Sequence, residues 1–280
     1  METNNKKSIS SILIKLLILI VIIIQIYPIF WLLTSSLKAP IEFNLNPMYA
    51  LPEAFHFQNY VDAWTVGKMN IYFKNSVMVT FPALFLIIFF GAAAAFAIEK
   101  MQWRFSNSVL LLFLAGIMVP VQIVILPLFS IYYDVGLLNH PLSLIITYIA
   151  FGLPLTIFLF SGFFKSVPNE LIEASVVDGA NIYQVFFKVA APMLKNSIVT
   201  VALVQFFFVW NDLIFAMTFI SDANLRTIQT GLLAFTGQYG SREWGPTFAS
   251  ISMAVIPILF IYIFLNQKIM KGLTSGAVKG

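Results

Sequence analysis

Long apolar runs alternate with short polar ones along the whole chain. Six runs have the length of a bilayer-crossing helix, which needs about 20 apolar residues for roughly 30 Å of hydrocarbon. They cover about 13–34, 75–97, 107–132, 141–165, 197–219 and 246–266. The third and fourth are long enough to tilt or to overrun the hydrocarbon. The first run, "LLILIVIIIQIYPIFWLL", follows Lys6, Lys7 and Lys15 and has the basic flank of a secretory leader. It exceeds the roughly 7–15 apolar residues of such leaders and ends without a small-residue cleavage pattern, so a retained span is expected. The pattern gives a tail over 1–12, a transmembrane body over 13–266 with a long polar loop at 166–196, and a second tail over 267–280. It shows neither an internal repeat nor two soluble domains joined by a linker.

Composition agrees with this pattern. The chain is 60% apolar and 10% charged, with 29 Phe, whereas a soluble domain carries about a quarter charged residues. The net charge of +4 is small and scattered, which argues against nucleic acid. Cysteine is absent, so thiolate and disulfide chemistry are excluded. His56 and His140 sit in different polar segments with no metal-ligand spacing, so no metal site is expected.

Basic residues set the orientation. With the N-terminus inside, the cytoplasmic side receives Lys6, Lys7, Lys15, Lys100, Arg104, Lys165, Lys188, Lys195, Lys268, Lys271 and Lys279. The outer side receives Lys38, Lys68, Lys74, Arg226 and Arg242. Eleven against five predicts that both termini and the 166–196 loop are cytoplasmic. Pro82, Pro120, Pro127, Pro154 and Pro257 interrupt spans, and each removes a backbone donor. They fit ordinary packing kinks, which neighbouring helices can satisfy, or bends that shape a path. "GAAAAFA", Gly91–Ala97, predicts close helix approach through small residues.

The loop at 166–196 carries its own fold signals. Pro168 suits an early helical position, and Glu170 and Glu173 place negative charge near unpaired N–H groups of the first turns. Leu171, Ile172, Ala174, Val176 and Val177 make the short helix amphipathic, and Gly179 is placed to end it in a left-handed conformation. Asn181 with Gln184 reads as a capping box opening a second helix, "IYQVFFKVAAP", which Pro192 ends. A connector needs only a few residues; this loop spends about thirty on a rigid knuckle. By itself it fits an interfacial hairpin or a protein-docking element.

These residues resemble the cytoplasmic signature loop of inner-membrane permease subunits of binding-protein-dependent ABC transporters. That pattern is E-A-A, three residues, then Gly, usually as D-G-A, with a proline after the next helix. Glu173, Ala174 and Ser175 match its first part, Asp178, Gly179 and Ala180 its second, and "FFKVAAPML", Phe186–Leu194 with Pro192, its close. "KGLTSGAVKG" at the C-terminus, "FTGQYG", "WGPTFAS", "VIPILF" and Trp210–Asn211 resemble the MalG-type branch, which serves carbohydrate importers. The resemblance covers about 12–280. Ser175 replaces the second alanine, and Asn196 stands where many members carry another proline.

The resemblance implies an all-α transmembrane protein with the six-helix ABC importer permease fold (MetI-like), multi-pass in a bacterial or archaeal cytoplasmic membrane. Its loop would be the coupling helix, with Glu173 as a polar anchor to an ATPase subunit and Gly179 shaping the turn. Implied partners are a second, related permease, two ATP-binding subunits holding ATP and Mg2+, an extracytoplasmic solute-binding protein, and a sugar-like solute. The chain itself would bind no cofactor. It has no G-x-x-x-x-G-K-[ST] phosphate loop, so ATP would be hydrolysed by its partners.

Polar groups inside the spans are candidates for a translocation path. Asp212 lies about 6 Å beyond the midpoint of the fifth span, at a rise of about 1.5 Å per residue. A carboxylate there must face protein or a wet cavity; a helix-to-helix hydrogen bond or a protonated carboxyl are the alternatives. Asn211, Gln122, Tyr148, Gln205 and Thr218 complete the set. The external segment 35–74, with "FHFQNYVDAW", resembles the family's first outer loop, and its composition also fits a flexible spacer.

A permease for a polyol or glycerol-phosphate type solute is the alternative within the family. A self-contained secondary transporter would usually show an inverted repeat. An intramembrane enzyme would need a catalytic pair, and neither H-E-x-x-H nor a nucleophile–base arrangement is present, so no catalytic residue is assigned.

Overall fold

The computed structural model describes residues 2–101, 103–237 and 243–277, with side-chain surroundings defined within 11–264 except at 102 and 234–242. The end of "FTGQYG", Arg242 and Lys279 lie outside the described residues. Among those described, the regular structure is helical: α1 (Glu2–Ser35), α2 (Gln58–Thr65), α3 (Met69–Lys100), α4 (Ser106–Ile117), α5 (Val121–Asp134), α6 (Pro141–Lys165), α7 (Asn169–Val177), α8 (Ile182–Met193), α9 (Lys195–Trp210), α10 (Ile214–Phe219), α11 (Ile228–Gly237) and α12 (Trp244–Ala277). Among the described residues, four helices are long and apolar enough to cross a membrane, or up to six if each bent pair is one span.

Two of the six expected spans are not single helices. The third is cut at 118–120 into α4 and α5, which meet at 95°. Pro120 stands there in extended backbone, φ −65° and ψ 129°, because a proline restricts the chain before it and gives no N–H to a continuing helix. The fifth ends at Trp210 and restarts as α10 at Ile214. Pro82, Pro127, Pro154 and Pro257 lie inside continuous helices.

Packing divides the chain into two units. One comprises Met1–Met69 with Leu232–Val255. In it, α1 leaves the side chains of its most apolar window unburied, as a helix built for an apolar solvent would. The segment after α1 is folded by polar groups. Buried Asn59 donates to the carbonyls of Ser36 (2.9 Å) and Lys38 (2.8 Å), and Lys38 Nζ donates to Met48 O at 3.0 Å. Glu42 accepts from the amides of Ala39 (2.8 Å) and Glu53 (3.0 Å). A spacer without structure would have no use for buried partners of this kind.

The other unit comprises Asn70–Gly231 with Ile256–Gly280 and holds two apolar clusters. One joins Ala92, Ala95 and Phe96 of α3 to Ile157, Phe160 and Phe164 of α6, Ile172 of α7 and Phe186 of α8. The second joins Val79, Ala83 and Ile87 of α3 to Leu144 and Tyr148 of α6 and Phe215, Ala216 and Phe219 of α10. The small residues of "GAAAAFA" let α3 and α6 approach closely: a Cβ on Gly91 would overlap Thr156 Cγ2.

Replacing Gly91 by alanine gains up to about 1 kcal/mol of helix propensity but overpacks this contact by about 1–3 kcal/mol. Thr156 cannot turn aside freely, because its hydroxyl accepts from Gln205 at 2.9 Å. Gly91→Ala is therefore expected to lower the unfolding midpoint of the detergent-purified protein. An equal or higher midpoint would show that α3 and α6 are not held at this spacing.

Candidate functional site

Two places in the larger unit gather the chemistry that the sequence singles out. The first is the break between α9 and α10. A helix end inside an apolar run leaves backbone groups without partners, and lipid supplies none. Here Asp212 supplies them. Its Oδ2 accepts from the Ala216 amide at 3.0 Å and its Oδ1 from the Phe215 amide at 3.4 Å, so the carboxylate caps α10. Oδ2 also accepts from the Tyr148 hydroxyl on α6 at 2.8 Å. The helix-to-helix hydrogen bond weighed from the sequence is therefore present, between α6 and the break before α10.

Asp212 and Tyr148 open onto a cavity of about 380 Å³, whose other polar liners include Gln122 and Gln205 and whose walls include Phe151, Phe208 and Phe215. Gln205 is buried and donates to the Gly152 carbonyl at 3.1 Å and to Thr156 Oγ1 at 2.9 Å. Four of the six candidate path residues therefore meet at one cavity. Asn211 does not line it: its amide donates to Phe207 O at 2.9 Å and its oxygen accepts from Gln229 at 3.3 Å. Thr218 is spent on the Ile214 carbonyl at 2.7 Å.

Sequence reasoning named Pro120 among the interruptions of the spans and missed Asn139. The α4–α5 break brings Gly116, Ile117 and Val119 to the cavity wall. Asn139, at φ +55°, accepts from Ser221 N (2.6 Å), Ser221 Oγ (3.0 Å) and Asp222 N (2.9 Å), tying the α5–α6 turn to the chain after α10. The signal for Asn139 was its tolerance of left-handed backbone, but its partners lie 82 and 83 residues away.

The second place is the loop knuckle. Pro168 caps α7 from outside instead of occupying its first turn, in extended backbone at φ −60° and ψ 133°. Gly179 ends the helix at φ +85°. Its amide reaches Val176 O at 3.0 Å and the Ala180 amide reaches Ser175 O at 3.0 Å, the paired bonds of a Schellman motif. Asn181 and Gln184 exchange bonds of 2.9 and 3.0 Å, completing the capping box. In α8, Val185–Ala190 forms a wide π turn two residues before Pro192. Such turns absorb a residue that cannot complete the normal ladder.

One apolar side chain of α7 anchors it and several remain outside. Ile172 is 8% exposed in the cluster with Phe186, while Leu171, Val176 and Val177 are 44%, 55% and 87% exposed. Ala174, Ser175, Asp178, Gly179 and Ala180 line one open groove, which Glu173 and Pro192 do not. Lys100 fastens the root of the knuckle to α3: its Nζ donates to Val167 O and Asn169 Oδ1, both at 2.7 Å. The neighbouring Lys165–Glu99 pair, at 3.9 Å and largely in solvent on the lysine side, adds little.

Apolar helices of membrane-crossing length, a cavity with four polar side chains at a helix break and a folded knuckle on one loop fit a membrane-spanning transport component. The chain belongs to the family described as binding-protein-dependent transport system inner membrane component, whose model matches residues 87–274. That family comprises membrane components of importers, not catalytic subunits. The chain is 33% identical over 258 residues to the diacetylchitobiose uptake system permease protein NgcG of Streptomyces coelicolor, covering 92% of this chain and 85% of the relative. It is 32% identical over 270 residues to the melibiose/raffinose/stachyose import permease protein MelC of Bacillus subtilis, covering 96% of each. Among solved structures it is similar to a bacterial ABC transporter involved in import of the acidic polysaccharide alginate, at TM-score 0.82 and 20% identity, covering 94% and 97% of the two chains. The fold is the MetI-like permease fold.

Removing the Asn181 side chain tests the rigidity of the knuckle. Loss of an N-cap costs about 1 kcal/mol, so Asn181→Ala should speed exchange of the Gln184 amide about fivefold in hydrogen-exchange mass spectrometry. Unchanged exchange would mean that the box does not hold the turn.

Proposed function

We propose that the chain is one membrane half of an ATP-driven importer of a sugar or sugar-like solute. The observation that carries this reading is the knuckle: a loop capped at both helices, fixed by a left-handed glycine, and holding Leu171, Val176 and Val177 out of its own core. Exposed apolar residues on a rigid, capped element suit a protein cleft. Glu173 and Asp178, also exposed, can take charge-assisted hydrogen bonds at its edge.

In this reading α7 and α8 dock on a separate ATP-binding subunit, one of a pair that holds ATP and Mg2+. Glu173, Ala174, Ser175, Asp178, Gly179, Ala180 and Pro192 form or shape the contact. Both termini lie in the cytoplasm, as the bias of basic residues favours. A second, related permease completes the membrane part. The family description supports an extracytoplasmic solute-binding protein as the donor of solute. Closure of the ATPase pair displaces the knuckle, which Lys100 and Ile172 link to α3 and the bundle. The cavity at Asp212 then changes the side to which it opens. Relatives that handle diacetylchitobiose, melibiose and raffinose support a carbohydrate as cargo.

Gly179→Asp tests the coupling. A Cβ at Gly179 meets nothing within 4 Å, so the substitution adds only about 1–2 kcal/mol of left-handed strain together with a charge at the contact. The variant subunit should still reach the membrane, while ATPase activity of the reconstituted complex no longer drives uptake. Wild-type uptake per ATP in that complex would sink the assignment.

A further inference from the structure

The carbohydrate reading leaves open whether the cargo is neutral or carries a carboxylate or phosphate, and the cavity bears on that choice. Resting on that reading, we propose that Asp212 makes this half of the path selective for uncharged polyhydroxylated solutes and against anionic ones.

The charge balance of the cavity points this way. Among the described residues, Asp212 is its one acidic liner, and none of the liners is a lysine, arginine or histidine. The Asp212 carboxyl accepts from the Tyr148 hydroxyl and from the amides of Ala216, Phe215 and Ile214. The Tyr148 and Ala216 bonds fall on Oδ2, while the Phe215 amide reaches Oδ1 only at 3.4 Å. A carboxylate offers about four lone-pair sites, so Oδ1 retains room for a solute hydroxyl.

The remaining walls suit the same chemistry. Gln122 is exposed in the cavity and its amide bonds to no described residue, so it offers both donors and an acceptor. Phe151, Phe208 and Phe215 supply ring faces for the C–H surfaces of a pyranose. A sugar carboxylate or phosphate would meet like charge with no cation among the described liners to offset it, and like-charge juxtaposition costs several kcal/mol. Asp212 thus acts in two ways: it caps α10, and it sets the sign of charge that the cavity accepts.

The test uses the assembled transporter in nanodiscs without its solute-binding protein, so that the cavity alone discriminates. Equilibrium dialysis compares radiolabelled raffinose, a neutral trisaccharide, with trigalacturonate. The wild-type complex is expected to bind trigalacturonate at least tenfold more weakly than raffinose. Asp212→Asn keeps the shape and the accepting oxygen but removes the charge, and should narrow that gap at least fivefold. Tyr148→Phe removes a hydrogen bond but keeps the charge, and should preserve the gap.

Equal binding of the two sugars by the wild type would overturn the inference. A gap unchanged in Asp212→Asn, or closed in Tyr148→Phe, would overturn it as well. Failure of the wild-type complex to bind either sugar overturns it too, since the cavity then holds no saccharide. The carbohydrate reading itself fails separately, if the complete system with its solute-binding protein takes up no saccharide in cells.

Discussion

Hydrocarbon cannot hydrogen-bond, so an interrupted helix or a carboxylate within an apolar span must find its partners in the protein. That constraint organises the larger unit. Asp212 would be costly on a continuous helix facing lipid. Unwinding the chain at 211–213 turns it inward, where the fresh N-terminus of α10 and the Tyr148 hydroxyl meet it. The break and the charge solve each other's problem. The same unwinding leaves room beside α6, and the Pro120 break supplies the facing wall, so the cavity follows from two helix interruptions.

The knuckle obeys a different constraint. It must hold its shape while keeping apolar side chains away from its own core. Local hydrogen bonds do this: the Schellman pair at Gly179 and the reciprocal box at Asn181 fix the turn without tertiary help. Ile172 and the Lys100 latch then bind it to α3 and the neighbouring helices. A displacement applied at α7 therefore has a packed route into the bundle through the cluster that contains Phe164 and Phe186. Small residues at Gly91, Ala92 and Ala95 keep α3 and α6 close enough to share that load.

The elements legible in the sequence were those whose cause is local. Long apolar runs located α1, α3, α6 and the membrane part of α12 because spanning depends on length and hydropathy alone. Gly179 and the Asn181–Gln184 pair were legible because a cap involves residues within one turn of each other. Pro168 was placed one position too far into its helix, since boundaries depend on backbone angles that the residue type only biases. The third and fifth runs read as single spans, and hydropathy cannot distinguish a straight apolar helix from a broken one.

By itself the sequence determined the all-helical membrane character, the two caps of the knuckle and the family signature, because each rests on composition or on neighbours a few residues apart. Only the tertiary structure decided which polar residues share a cavity. It brought Gln122, Tyr148, Gln205 and Asp212 together and left Asn211 and Thr218 bonded to their own helix. The physical reason is that a side chain's direction at a helix break is set by the donors awaiting it across the bundle. Tyr148 stands 64 residues from Asp212, and no pattern along the chain records that it will be there.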